Sequence, residues 1–121
     1  QGLILATSSI YGLTAAPNRA AYTATKGAVS QLVRTLAAEW GPSGVRVNGI
    51  APGYVQTAMV EGLIQQGILD RGPLVARTPM RKLGRPADIA AMACFLGSPA
   101  AAWINGAIMS VDGGWMANDG P

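Results

Sequence analysis

"AYTATKGAVSQLVRTLAAEWGPSGVRVNGIAPG", residues 21–53, changes its periodicity once, and that change decides the fold. Its first part sets Ala21, Ala24, Ala28, Val29, Leu32, Val33, Leu36 and Trp40 at the 3.6-residue spacing of an amphipathic helix, expected over about residues 20–40. Gly41-Pro42 stops that helix. "GVRVNGIAPG", residues 44–53, is then a short apolar run ending in a glycine-containing turn, the pattern of a strand.

Upstream, "GLILATSS", residues 2–9, has the same form. It reads as a strand buried on both faces that delivers its small polar end to a site. A loop with Gly12, Pro17 and Asn18 as turn formers leads from it into the helix. Strand, helix, strand with a crossover of this length joins parallel strands, the helix covering one face of the sheet. Residues 54–85 carry scattered Gly and Pro and short helical stretches such as "AMVEGLIQQGIL", and read as a long excursion or lid. Pro86 in a first turn, with Asp88 close behind, opens a second helix to about Leu96. "NGAIMSVDGGW" closes the pattern with one more strand. The expected fold class is α/β with a parallel sheet.

Half of the 121 residues are hydrophobic, enough for one core. Net charge is +3, and the nine basic residues form no run or stripe, so a nucleic-acid partner is not expected. The absence of histidine removes the usual general base, the serine-protease type of triad and most zinc sites. Proton chemistry is left to Tyr, Lys or a carboxylate. Cys94, alone in "IAAMACFLG", is expected to be a buried structural thiol. No signal peptide and no apolar run of about 18 residues is found, so no membrane partner and a cytoplasmic location are expected.

Tyr22 and Lys26 are four residues apart on the first helix and therefore share a face one turn apart. Alone, that spacing is also an ordinary surface pair. Ser9 stands thirteen residues before Tyr22, at the end of the first strand, where open parallel sheets place their ligand sites. The next strand ends in "APGYVQT" at the same edge, so three elements converge on one rim.

The blocks "LILATSSIYG", "AAYTATKGAV", "LAAEWGPSGVRVNGIAPGYVQT" and "TPMRKLGRPADIAAMACFLGSPAAAWINGAIMSVDGG" carry a resemblance over essentially the whole chain. In order and spacing it resembles the short-chain dehydrogenase/reductase family. The resemblance implies that residues 1–121 are the C-terminal half of a single doubly wound, Rossmann-like parallel-sheet domain, and that the reaction is hydride transfer between NAD or NADP and a small secondary alcohol or ketone. Such a transfer needs a proton moved at the substrate oxygen. By the family's pattern Tyr22 is the acid/base. A free phenol titrates near about 10, and a neighbouring ammonium such as that of Lys26 favours the phenolate.

The resemblance further implies that Tyr22 and Lys26 contact the cofactor, Lys26 through the nicotinamide ribose hydroxyls. Ser9 holds and polarises the substrate oxygen; Ser8 competes for that role, but the spacing to Tyr22 matches Ser9. Pro52, Gly53 and Val55 would frame the nicotinamide through backbone groups, Thr57 would reach its amide or the pyrophosphate, and Tyr11 would line the substrate pocket. The blocks after Thr57 resemble members acting on polyols and sugars. The helix at 20–40 would form a homo-oligomer interface, in a dimer or tetramer.

Other residues read as structural. Arg46 and Asn48 belong to a strand motif, Asp112 pairs or caps near the C-terminal turn, and Met59, Met80, Met109 and Met116 fill the core. The glycine-rich turn that cradles a pyrophosphate on a helix N-terminus is not in the sequence, nor is a selector for the adenine ribose. The N-terminal dinucleotide-binding half is thus expected to be absent. Two readings follow: part of an oxidoreductase, or a truncated, non-catalytic fragment that assembles with itself or a partner and binds no cofactor.

Overall fold

The computed structural model describes residues 1–118. Three strands, β1 (Gly2–Thr7), β2 (Val45–Pro52) and β3 (Ile108–Val111), form one parallel sheet in the order β1-β2-β3. Register runs from Gly2 opposite Val45 to Thr7 opposite Ile50, and from Gly49 opposite Ile108 to Pro52 opposite Val111. All three carboxyl ends therefore reach the same edge. The helix α1 (Ala20–Trp40) makes the crossover from β1 to β2, and α4 (Pro86–Leu96) the one that leads to β3.

The expected strand-helix-strand is present, and its core is small. Val33 and Ala37 of α1 pack on Val47 of β2, with Ala6, Leu36, Val45 and Ile108 around them. Ser30, Val33 and Ala37 are the buried residues of α1, whereas Ala21, Ala24 and Ala28 are exposed and Leu32 is 54% exposed. The helix is apolar on more than one side, and one sheet covers only one of them. β1 differs from its expected burial on both faces: it is an edge strand among the described residues, and Ile4 is 43% exposed.

Residues 54–85 are more ordered than a bare excursion. Helices α2 (Ala58–Gln65) and α3 (Arg71–Arg77) fold over a second core of Ile10, Val60, Leu69, Leu74, Leu83 and Trp115. Each has an N-cap: Thr57 Oγ1 accepts the Val60 N–H at 3.2 Å, and Asp70 Oδ1 accepts the Gly72 N–H at 3.1 Å. An Arg71–Glu61 ion pair ties the two helices together. Met59 and Met80, expected in the core, are exposed, since leucines and Trp115 fill it instead.

α4 starts with Pro86, as expected, and Asp88 accepts from both the Arg85 N–H (2.7 Å) and its guanidinium (3.1 Å). That pairing holds the Asp88 carboxyl below the usual carboxylate range. Cys94 is exposed, contrary to the buried thiol expected, because it lies on a face of α4 that no described element covers.

Side chains fix where β3 sits. Asn48, 0% exposed, donates to the Ile104 carbonyl at 2.9 Å and accepts the Ala107 N–H at 3.0 Å. Arg46 donates to the Leu96 and Ile104 carbonyls at 2.7 and 3.1 Å. Both residues are structural clamps, as read. Asp112 caps the following turn, accepting the N–H groups of Gly114 and Met116 at 2.9 and 3.1 Å.

Candidate active site

Open parallel sheets bind ligands outside the carboxyl ends of their strands, and the residues singled out above lie there. β1 runs out at Thr7 into Ser8 and Ser9, then into a short 3-10 turn at Ile10–Gly12. The Ser8 N–H bonds to the Ile50 carbonyl at 2.8 Å, carrying the ladder one residue beyond β1. Ser8 and Ser9 are both buried but serve different masters. Ser8 Oγ donates to the Lys26 carbonyl at 3.1 Å and lies 2.7 Å from Ser30 Oγ. A hydroxyl has one proton, so Ser30 is the donor in the second bond, and Ser8 is committed to docking α1.

Ser9 Oγ accepts the Tyr11 N–H at 3.1 Å, capping the 3-10 turn. Its own proton has no partner among the described residues and is available to a ligand.

Lys26 is held at two points. Its carbonyl receives Ser8, and its Nζ donates to the Thr7 carbonyl at 3.1 Å. Two ammonium donors are left for a ligand. Nζ stands 6.0 Å from the centroid of the Tyr22 ring, as the i,i+4 spacing requires. Tyr22 is 45% exposed, and its hydroxyl has no partner among the described residues. Gly12 makes the close approach possible: a Cβ there would lie 2.3 Å from Ser8 Oγ and 2.6 Å from the Lys26 carbonyl oxygen.

At the end of β2, Pro52 is followed by Gly53, whose N–H bonds to the Val111 carbonyl at 3.0 Å. A Cβ on Gly53 would come within 2.8 Å of Asp112, so only glycine lets the ends of β2 and β3 meet. Val55 is buried, forms an isolated bridge with Gly84, and its carbonyl receives the Thr57 N–H at 2.8 Å. The Thr57 hydroxyl accepts in its cap and keeps its proton. These groups suit the nicotinamide end of a cofactor: small residues that admit backbone approach, free hydroxyl protons and an ammonium with spare donors. An open groove of about 790 Å³ lies at the opposite, amino edge of the sheet, by Leu3, Val45 and Trp103, and is separate from this rim.

Sequence reading missed Tyr54. Its hydroxyl is 3.1 Å from that of Tyr11, their rings meet edge to face at 6.2 Å, and the Trp115 ring packs against Tyr54 at 5.0 Å, tilted by 50°. The signal available was an aromatic directly after Pro52-Gly53; nothing in the spacing pointed it at Tyr11. Burial first, then the bond to Tyr54, pushes the Tyr11 phenol well above its ordinary pKa.

A parallel sheet whose strand ends meet a Tyr-x-x-x-Lys helix defines part of a doubly wound α/β domain. The chain belongs to the short-chain dehydrogenase/reductase family: a family model described as enoyl-(acyl carrier protein) reductase matches residues 1–116. It is 53% identical over 94 residues to galactitol 2-dehydrogenase (L-tagatose-forming) of Cereibacter sphaeroides, covering 78% of this chain and 37% of that protein. It is 42% identical over 113 residues to 7alpha-hydroxysteroid dehydrogenase of Escherichia coli, covering 93% and 44%. Among solved structures, ElxO with NADP bound superposes with a TM-score of 0.87 at 33% identity, covering 96% of this chain and 47% of that one. The chain thus spans less than half the length of these relatives. No described helix is long and apolar enough to cross a membrane.

Proposed function

We propose that these residues belong to an NAD(P)-dependent oxidoreductase that interconverts a secondary alcohol and its ketone, with Tyr22 as acid/base. The bound nicotinamide supplies or accepts the hydride. In the reducing direction Tyr22 gives its phenolic proton to the carbonyl oxygen; in the oxidising direction it takes the alcohol proton. Ser9 donates its free proton to the same oxygen and stabilises the charge that develops there. Lys26 favours the phenolate left behind. Its two spare donors, with the backbone of Pro52, Gly53 and Val55 and the Thr57 hydroxyl, hold the nicotinamide and its ribose.

The observation that carries this reading is the division between adjacent serines: Ser8 is spent on α1, and Ser9 keeps a proton at the rim. The likeness to a galactitol dehydrogenase favours a polyol or related hydroxylated substrate. Turnover of secondary alcohols by the complete enzyme and its Tyr22→Phe variant tests the proposal; equal rates would remove Tyr22 from the chemistry.

A second reading, a non-catalytic piece that assembles with itself or a partner, is favoured by the exposed flank of α1 and by the edge of β1, unpaired among the described residues. In either reading these surfaces suit a homo-oligomer. An intact mass measured on the natural protein separates the two.

A further inference from the structure

We propose that the Tyr11 and Tyr54 hydroxyls form a substrate-reading pair that selects alcohols carrying a second hydroxyl. The inference rests on the Ser9 and Tyr22 reading of the site and deepens it.

Placement comes first. Tyr11 follows Ser9 by two residues and bonds to it through its own N–H at 3.1 Å. Tyr54 follows Gly53 at the end of β2. The hydroxyl contact at 3.1 Å therefore joins the segments that follow β1 and β2 at the carboxyl edge of the sheet. Both side chains are half-buried, so a ligand reaches them in a setting partly cleared of water.

Proton counting gives the ligand class. Two phenols carry two protons and four acceptor positions. Their mutual bond uses one of each, leaving one donor and three acceptor positions. A ligand hydroxyl, which both gives and takes a hydrogen bond, satisfies such a pair; a carboxylate uses only the donor and a methylene neither. Burial keeps the Tyr11 phenol protonated, so it exerts no ionic pull on a ligand.

The pair is also held in place. Trp115 backs the Tyr54 ring at 5.0 Å, and the Arg77 guanidinium lies over the Trp115 ring, 4.4 Å from its centroid. Trp115 is itself buried with Ile10, Leu69, Leu74 and Leu83. Hydroxyls fixed this way lose little freedom on binding, and a partner lacking the matching group leaves them unpaired.

The test uses the complete enzyme and a matched pair of probes, cis-1,2-cyclohexanediol and cyclohexanol, with affinities measured by ligand-observed NMR titration in the presence of NADP or NAD. The wild type is expected to prefer the diol about tenfold, the worth of a well-made neutral hydrogen bond or two. Tyr54→Phe and Tyr11→Phe, which keep the rings, should each bring that ratio to within about threefold of unity. Equal affinity in the wild type, no binding of the diol, or a preference that survives both substitutions would overturn the proposal. A merely structural role for the pair would lower the melting temperature and weaken both probes alike. Because binding is read without turnover, the outcome is separate from the fate of Tyr22 as acid/base.

Discussion

Ser8 Oγ lies 2.7 Å from Ser30 Oγ, so the residue that follows β1 is bonded to the middle of α1. Ser8→Ala would leave buried Ser30 and the Lys26 carbonyl short of a partner, at a cost of about 1–3 kcal/mol in stability. Ser9→Ala should instead lower kcat/KM by at least about tenfold, with the smaller stability loss of one turn cap. Thermal melts and steady-state kinetics on both variants of the complete enzyme check this. The reverse pattern would exchange the roles of the two serines.

Tyr22→Phe keeps the ring and removes the transferable proton. Because the hydroxyl has no hydrogen-bond partner among the described residues and Tyr22 is 45% exposed, circular dichroism and melting temperature should stay at wild-type values. Turnover should fall about 10²- to 10⁴-fold, the contribution of a positioned acid/base.

Lys26→Met loses the bond to the Thr7 carbonyl and the two spare donors but keeps a long apolar stem. Both cofactor affinity and turnover are expected to drop. If titration of the variant showed unchanged cofactor binding with slow turnover, Lys26 would act on the phenol alone.

The 121 residues produced alone should bind NAD(H) and NADP(H) negligibly. Their rim has the groups proposed for the nicotinamide side, but the sequence contains no glycine-rich phosphate turn. A dissociation constant in the micromolar range from calorimetry would refute this.

Produced alone, the chain should also self-associate. Among the described residues β1 has an unpaired edge with Ile4 exposed, and α1 shows Ala21, Ala24, Ala28 and Leu32 to solvent. Such edges are templates for pairing, and net stabilities are only about 5–15 kcal/mol. Sedimentation that finds a cooperatively folded monomer at micromolar concentration would contradict the expectation.

Local pattern was enough where one residue's neighbours in sequence set its environment. The bounds of α1, the proline-led start of α4 and the two longer strands follow from periodicity and stop signals. Tyr22 and Lys26 share a face because α1 is a continuous helix. Ser9 was separable from Ser8 only by spacing; the bonds that distinguish them span 18 and 22 residues and leave no local trace. Tyr54 escaped for the same reason, its partner Tyr11 being 43 residues away. Cys94 and Ile4 were read as buried because an apolar run signals that something covers it, and within the described residues nothing does.

Gly12 has one more effect. With only a hydrogen where a methyl would strike Ser8 Oγ and the Lys26 carbonyl, the loop and the helix close on each other without slack. The same contact that seats α1 also seats the Ser9 and Lys26 groups, so the helix cannot drift outward and leave the rim assembled. Activity in the complete enzyme would then behave as a switch on folding, vanishing with the first loosening of α1 and ahead of any loss of helical signal, and Gly12→Ala should show that order of events.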